Sequence, residues 1–320
     1  MSTVAPPFPV TDSLSMKHDS ADKEPVAKTV TVTKETVDQP SYKIPPGHVG
    51  NLTTPQQQTL DKLKKELQDE GNWVEERMDD AFLLRFLRAR KFDFVQTKTM
   101  LLSAEQWRKD FGVEEIVKSF TYDEKPEIDK YYQLYYHKID RDGRPVYVEL
   151  LGNLNVKALY AATTPERLLQ RLVYEYEKSS SLRLPACSSA TGHPVENFCT
   201  IFDLGAHGSL SNFYRVKDYV FQAASIGQDR YPETMGKFYI INAPWAFSVV
   251  WSIVKPWLDE VTASKIEILG GGYKETLLKQ IPAENLPKEF GGSCRCPGGC
   301  AMSDAGPWSV EGEKSVNGKS

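Results

Sequence analysis

The polar residues best suited to binding a ligand lie at the two ends of one apolar segment. Glu233 follows Tyr231-Pro232 before the helix predicted from Pro244 to Pro256, and Thr262 and Lys265 come just after that helix. Glu and Lys are seldom buried unless they are paired, so ordinary surface positions are one interpretation. At the mouth of a cavity, the carboxylate would accept and the ammonium would donate hydrogen bonds to a polyhydroxy headgroup.

A second polar feature is a basic cluster at the end of a helix predicted over residues 81–90. The cluster consists of Arg85, Arg88, Arg90 and Lys91. Cations near the carboxyl end of a helix are favoured by its dipole, which explains the cluster without a ligand. Its density would also suit a phosphate group, and both interpretations stay open.

Catalytic motifs are weak throughout the chain. His207–Ser209 lacks the flanking glycines of a nucleophile elbow, and Gly270–Lys274 lacks the Gly-Lys-Ser/Thr ending of a phosphate-binding loop. His137 and His193 have no carboxylate or cysteine partner at motif spacing, which favours structural roles. We therefore expect no enzymatic activity and no cofactor.

The cysteines indicate a reducing environment. There are five of them, an odd number, and no leading signal peptide, so we expect a cytosolic protein. Cys294, Cys296 and Cys300 could bind zinc, but a fourth ligand at normal spacing is missing, which favours free thiols.

Composition narrows the function classes. A formal net charge of −4 argues against a nucleic-acid-binding protein. Since no uninterrupted apolar run of about 18 residues occurs, any membrane contact should be peripheral.

The apolar stretch Ile241–Ile266 is predicted to form a helix that starts at Pro244 and ends or kinks at Pro256. Leaving four of its large side chains in water would cost roughly 6–12 kcal/mol, so its outer face needs an apolar partner. One interpretation is a core helix between two layers. The other is a movable lid over an apolar cavity, with Trp251 and Trp257 touching a membrane and hinges at residues 242–243 and 259–260.

The remaining pattern predicts an α/β fold. Helices are expected in residues 54–112, followed by a hairpin over 131–151 and then alternating strands and helices, which implies a mixed, largely parallel sheet with crossover helices. The predicted organisation is a disordered tail at 1–48, an N-terminal helical subdomain at 50–125, a sheet domain at 126–298 and a C-terminal tail at 299–320. Trp308 is expected to pack this second tail onto the fold.

Several long motifs resemble the CRAL-TRIO lipid-transfer family, in particular its fungal phosphatidylinositol/phosphatidylcholine transfer members. The matching segments are Leu84–Asp93, Tyr136–Pro145, Arg183–Ser188, Tyr231–Pro244 and Ile281–Pro287. The resemblance covers about residues 50 to 310. It implies one phospholipid held in a pocket under a gating helix, here Pro244–Leu258.

The resemblance also implies roles for individual residues. Those matching the family's inositol-lipid headgroup contacts, including its phosphate-proximal basic pair, are Arg90, Lys91, Asp140, Glu233, Thr262 and Lys265. Those matching the choline-lipid region are Tyr136, Tyr147, Tyr176, Phe198 and Thr200. Those of the gate are Pro244, Trp245, Phe247, Val250, Trp251, Trp257 and Gly292.

One departure from the family pattern bears on the second lipid. Phe198 replaces the serine of the family's choline-lipid Ser-x-Thr, Ser179 and Ser180 stand where the family is apolar, and Thr234 replaces an arginine. The resemblance therefore implies phosphatidylinositol binding, while Phe198 argues against phosphatidylcholine.

The function expected is phosphatidylinositol transfer between membranes, in support of phosphoinositide signalling and secretory traffic. The protein would be a cytoplasmic monomer that visits Golgi and endosomal membranes and has no nucleic-acid partner. Two alternatives stay open: a sensor that presents phosphatidylinositol to a kinase, and a carrier of another hydrophobe such as a sterol or tocopherol.

Overall fold

The N-terminal helices form where the sequence places their caps. A computed structural model describes residues 42–205 and 210–309, without the side chains of 210 and 211. Helix α1 (Thr54–Asp69) starts at a capping box, and Asp79 and Asp93 cap α2 (Asp80–Ala89) and α3 (Phe94–Phe111) through backbone N–H groups. Their apolar stripes meet in one core, as predicted, whose fully buried members include Leu63, Leu67, Leu83, Leu87 and Leu101.

Some residues of the predicted disordered tail make defined contacts. Tyr42 stacks on His193 with ring centroids 3.8 Å apart, and Arg88 donates to the carbonyl of Gly47 at 3.1 Å. The prediction of a disordered tail up to residue 48 is therefore wrong for residues 42–48. Residues 1–41, 206–209 and 310–320 lie outside the described residues, and with them His207–Ser209.

A five-stranded sheet lies at the centre of the molecule. Its order is β1-β2-β3-β4-β5; β1 and β2 form an antiparallel hairpin and the other neighbours are parallel, as expected from the pattern. The strands are β1 (Gln133–Ile139), β2 (Pro145–Leu150), β3 (Phe198–Asp203), β4 (Met235–Ile241) and β5 (Ile266–Ile268).

The helices between the strands are more numerous than the periodicity indicated. Those after α3 are α4 (Val113–Ser119), α5 (Lys125–Ile128), α6 (Val156–Ala162), α7 (Pro165–Lys178), α8 (Leu184–Thr191), α9 (Leu210–Arg230), α10 (Phe247–Val254), α11 (Glu260–Ser264) and α12 (Lys274–Gln280). A π-helical turn, Ser179–Arg183, joins α7 to α8. Among the described residues, no helix has both the length and the apolar content that crossing a membrane requires.

The two faces of the sheet are covered differently. One face packs against α12 through fully buried side chains such as Val148, Ile201 and Leu277. The other face carries Phe202 and Phe238, whose rings meet edge to face at 4.5 Å and which are only half-buried although both strands are internal. Because central strands bury their side chains when a layer covers them, this half-burial shows that the cover of this face is incomplete.

Candidate functional site

Helix α10 lies at the surface, not in the core. Of its residues, only Val250 is buried; Phe247 and Trp251 are half-buried and Val249 is 42% exposed. Helix α10 packs along α9 and against the 3-10 turn Lys255–Trp257 that follows α10. The core-helix interpretation is therefore wrong, and the lid interpretation stays a prediction.

The start of the helix also differs from the prediction. Pro244 is not the first helical residue, because its carbonyl accepts from the N–H of Phe247 in a turn that precedes the helix. This turn projects Trp245 into solvent, where it is 90% exposed. Pro256 lies in the 3-10 turn Lys255–Trp257 that ends the helix, as predicted. Trp257 itself packs on Phe221 of α9, so Trp245 is the more exposed of these two tryptophans, and the membrane contact of Trp251 and Trp257 stays a prediction.

Both ends of the apolar segment are anchored. At the first end, Asn242 has a left-handed backbone (φ 53°) and donates from Nδ2 to Asp203 Oδ1 at 2.7 Å. At the second, Asp259 caps α11 and its N–H donates to Gln228 Oε1 at 2.7 Å. The predicted hinge positions coincide with these two anchors, and their movement stays a prediction.

Glu233 and Lys265 come together at one end of the sheet. The two residues precede β4 and β5, which are parallel neighbours, so the amino ends of the two strands meet. Lys265 Nζ lies 3.7 Å from Glu233 Oε2, and the two side chains are about a quarter exposed (23% and 24%). Glu233 has a left-handed backbone with φ 61°, an uncommon conformation for a residue other than glycine.

Arg88 lies beside this pair, although no sequence pattern predicted a specific role for it. Its Nε lies 4.0 Å from Glu233 Oε2 and is buried without a hydrogen-bond partner, while its Nη2 donates to Glu196 at 2.6 Å. An unsatisfied buried guanidinium N–H is costly, so the arrangement would gain from a further acceptor. The signal in the sequence was the basic cluster, which does not tell Arg88 from Arg85 or Arg90.

The last turn of α9 contacts other residues of the predicted headgroup site. Arg90 Nη2 lies 3.8 Å from Asp229 Oδ1, and the Thr262 hydroxyl donates to Asp259, which Gln228 also contacts. Lys91 is exposed beside Arg90 in an open surface depression. Arg90 and Thr262 are therefore linked, directly or through Asp259, to the consecutive residues Gln228 and Asp229 at the end of α9.

Asp140 is not part of this group. Its buried carboxylate accepts from Arg144 Nη1 at 3.1 Å, from Gln280 Nε2 at 2.8 Å and from backbone N–H groups of the β1–β2 hairpin. Burial raises the pKa of Asp140 even though Arg144 acts in the opposite direction. The structure gives this residue a role in holding the hairpin, and its headgroup contact stays a prediction.

The choline-lipid region forms a second aromatic cluster. Tyr136 contacts Tyr147 with centroids 4.9 Å apart, Phe198 edge to face at 6.1 Å and Trp308 edge to face at 6.3 Å. Trp308 is buried there, as expected for a tail packed onto the fold. Thr200 is buried on the same sheet face, and Tyr176 lies stacked on Tyr231 at 4.5 Å.

A guanidinium that the sequence did not reveal occupies one aromatic face of this cluster. Arg183, from the π-helical turn, lies 3.8 Å from the centre of the Tyr136 ring and donates to Ser179 at 3.0 Å. Ser179 in turn donates to the Tyr136 hydroxyl at 3.1 Å. Since an aromatic face that already binds a cation is less available to a quaternary ammonium, the cluster is poorly prepared for choline.

A buried carboxylate lies deeper on the same sheet face. Glu149 accepts from the hydroxyls of Tyr132 and Tyr147, and burial raises its pKa from 4.5 to about 7. Arg171, which is also buried, partly opposes this shift. Sequence periodicity predicted a strand here, but a single Glu within it gave no sign of its environment.

Gly292 has a steric explanation. A Cβ at this position would lie 1.9 Å from the carbonyl oxygen of Leu286, so only glycine fits the turn that follows Phe290. Its assignment to the gate stays a prediction.

Comparisons with known proteins agree with the fold and its organisation. Residues 57–103 match the CRAL/TRIO N-terminal domain, and residues 129–292 match the CRAL/TRIO domain. The chain is 56% identical over 267 residues to the Sec14 cytosolic factor of Schizosaccharomyces pombe, covering 83% of this chain and 92% of that one. It is 52% identical over 268 residues to the SEC14 cytosolic factor of Kluyveromyces lactis, covering 83% and 88%.

Two further similarities are more distant. Over 233 residues the chain is 43% identical to the phosphatidylinositol/phosphatidylcholine transfer protein SFH4 of Arabidopsis thaliana, covering 72% of this chain and 38% of that one. The crystal structure of Sfh5 superposes with a TM-score of 0.61 at 19% identity, over 83% of this chain and 97% of that one, which indicates a shared fold.

Proposed function

Because the chain belongs to the CRAL/TRIO family, we propose that it binds one phosphatidylinositol molecule and transfers it between membranes. The observation that carries this proposal is the surface helix α10, which is apolar yet largely unburied. One face of the sheet is likewise incompletely covered, at Phe202 and Phe238. The charged pair Glu233–Lys265 provides the polar end of the same site.

The acyl chains explain why a lid is needed. Two chains contain about 30 methylenes, and exposing them to water would cost roughly 25 kcal/mol. A carrier must therefore enclose the chains in transit and open only at a membrane. Helix α10, which is anchored at both ends and has an exposed Trp245, suits both requirements.

The headgroup would bind at the amino ends of β4 and β5. Glu233 would accept hydrogen bonds from the inositol hydroxyls, Lys265 and Thr262 would bind the same ring, and the basic residues Arg88, Arg90 and Lys91 would hold the phosphate. The orphaned Nε of Arg88 supports this assignment, since it is a buried donor that still requires an acceptor.

We propose that this cycle involves no catalysis and takes place in the cytosol, with transient contact at Golgi and endosomal membranes. A phosphatidylinositol kinase is the natural consumer of the lipid delivered. Phosphatidylcholine is proposed to bind weakly or not at all, because Phe198 fills the position where a hydroxyl donor would be needed.

The test is transfer of labelled phosphatidylinositol between vesicles, measured without any kinase. A charged hydrogen bond is worth roughly 1.5–3 kcal/mol, so Lys265→Ala should lower the transfer rate about tenfold or more. The matched control is Lys279→Ala on α12, whose exposed ammonium contacts only Glu275 among the ion pairs of the described residues. This control should transfer normally.

Equal transfer by Lys265→Ala and the control would overturn the headgroup assignment. Wild-type protein that binds phosphatidylinositol but does not move it between vesicles would favour the lipid-sensor alternative instead.

A further inference from the structure

Four side chains of the types that bind metals meet beside the edge strand β1. They are His137, Cys294, Cys296 and Cys300, and their donor atoms all lie within 4.8 Å of one another. The cysteines come from the segment that follows Gly292, whereas His137 lies 157 residues before Cys294 in the chain. We propose that these four residues bind one structural Zn²⁺ ion.

The distances agree with tetrahedral coordination. With Zn–S bonds of about 2.3 Å and Zn–N bonds of about 2.0 Å, tetrahedral angles place two sulfurs about 3.8 Å apart and a nitrogen and a sulfur about 3.5 Å apart. The Sγ atoms of Cys294 and Cys296 are 3.8 Å apart, and His137 Nε2 is 3.4 Å from Cys294 Sγ.

The hydrogen bonds around His137 select the tautomer that a metal needs. The Ser303 hydroxyl donates to the carbonyl of Cys300 at 2.8 Å, so its oxygen accepts from Nδ1–H of His137 at 3.2 Å. The proton is therefore on Nδ1, and the lone pair of Nε2 faces the thiols. A ligating histidine that donates its other N–H to a fixed acceptor is the usual arrangement at zinc sites.

The backbone is shaped to bring the ligands together. A β-bulge interrupts the β1–β2 register between Tyr136 and Ile139, next to His137, and Lys138 within it has φ 51°. Between Cys296 and Cys300, Gly298 and Gly299 have φ of 74° and 97°. A Cβ on either glycine would meet nothing within 4 Å, so these positions require glycine for its backbone freedom alone.

The donor set identifies the metal class and the role. Three sulfurs and one imidazole select zinc over magnesium or calcium, which prefer oxygen. Four protein ligands leave no open position, so the site is structural, and His137, Cys294 and Cys300 are buried. The ion would fasten the C-terminal segment to β1, beside the bond that Lys138 N–H donates to the carbonyl of Ala305, and so hold Trp308 against Tyr136.

The experiment measures the metal content of the full chain, expressed in zinc-supplemented medium, freed of any affinity tag and dialysed. We expect about one zinc ion per chain, and visible absorption bands of tetrahedral cobalt after Co²⁺ exchange. Cys296→Ser and Cys300→Ser should lose most of the zinc, whereas Cys187→Ala, which removes a buried thiol in α8, should retain it. His137→Cys, which keeps four ligands, should also retain it.

Removing zinc with a chelator should lower Tm and increase hydrogen exchange in residues 294–308. Substoichiometric zinc in the wild-type protein, together with no cobalt spectrum, would overturn the proposal without depending on any variant. Zinc that stays bound in both serine variants, or a disulfide among these cysteines in freshly purified protein, would overturn it as well. None of these results depends on lipid transfer.

Discussion

Phe198 is the residue expected to decide between the two lipids. Its ring is buried among Tyr136, Leu184, Cys187 and Trp308, in the place where the family pattern has a serine hydroxyl. The neighbouring Thr200 keeps its hydroxyl but is itself buried. Choline-lipid binding would therefore lack a donor and also meet a filled space.

Phe198→Ser should raise phosphatidylcholine transfer and leave phosphatidylinositol transfer nearly unchanged, since the inositol headgroup lies elsewhere. The lost donor accounts for roughly 1.5–3 kcal/mol and the overpacking for about 1–3 more, which corresponds to a hundredfold or greater effect at full recovery. Vesicle assays with each labelled lipid measure the ratio. If the wild type already carries both lipids equally well, the role assigned to Phe198 is wrong.

Glu149 should make folding stability depend on pH. Its pKa is raised from 4.5 to about 7 by burial, so the folded protein retains this proton in a range where the unfolded chain has released it. The free energy of unfolding therefore falls as pH rises from about 4.5 to about 7 and is constant, for this group, above that range. The whole effect is at most about 3 kcal/mol.

Glu149→Gln should remove this dependence, stabilising the protein at pH 8 more than at pH 5. Urea unfolding at the two pH values measures the difference. The matched control is Glu275→Gln on the exposed surface of α12, which should behave as wild type. An equal effect of Glu149→Gln at both pH values would contradict the assigned pKa.

Some of the site could be predicted at the residue scale and some could not. The Glu233–Lys265 pair was predictable because both residues precede strands that alternate with helices, and the amino ends of neighbouring parallel strands meet. The His137 contact was not, because motif spacing is a local signal and this ligand is 157 residues from Cys294. Arg183 was also missed, because its contact with Tyr136 depends on a π-helical turn.

At the scale of elements, inward packing and solvent exposure belong to different residues of α10 and the turn before it. Val250 is 9% exposed and packs inward, whereas Trp245 is 90% exposed. From the sequence, the helix looked apolar on nearly all sides, and no periodicity could show which side would be covered. Val250 is therefore expected to contribute to stability, and the proposed membrane contact is expected at Trp245.

Trp245→Asp should weaken binding to vesicles and slow lipid transfer while leaving Tm unchanged, because an exposed indole favours the membrane interface and contributes little to the fold. Val250→Asp should instead lower Tm, because it buries a charge without a partner. Vesicle sedimentation and thermal unfolding separate the two effects. A large loss of Tm in Trp245→Asp would show that this side chain is part of the packed structure.

At the scale of the whole molecule, the fold class and the parallel or antiparallel direction of the strands followed from sequence patterns. Alternating strands and helices imply crossover connections, and the Asp140–Gly143 turn predicts the antiparallel edge, and both are present. The partial cover of one sheet face could not be predicted, since it depends on how far α9 and α10 stand from Phe202 and Phe238. The proposed function requires a sheet face that is only partly covered in this way.

The central claim is that one phosphatidylinositol molecule occupies this face. Native mass spectrometry of the full chain purified from a eukaryotic host, followed by lipid extraction, tests it most directly. The account predicts one phospholipid per chain, with phosphatidylinositol enriched over its share of the host's lipids and phosphatidylcholine scarce. A chain that carries no phospholipid, or that carries a sterol or tocopherol in its place, would contradict it.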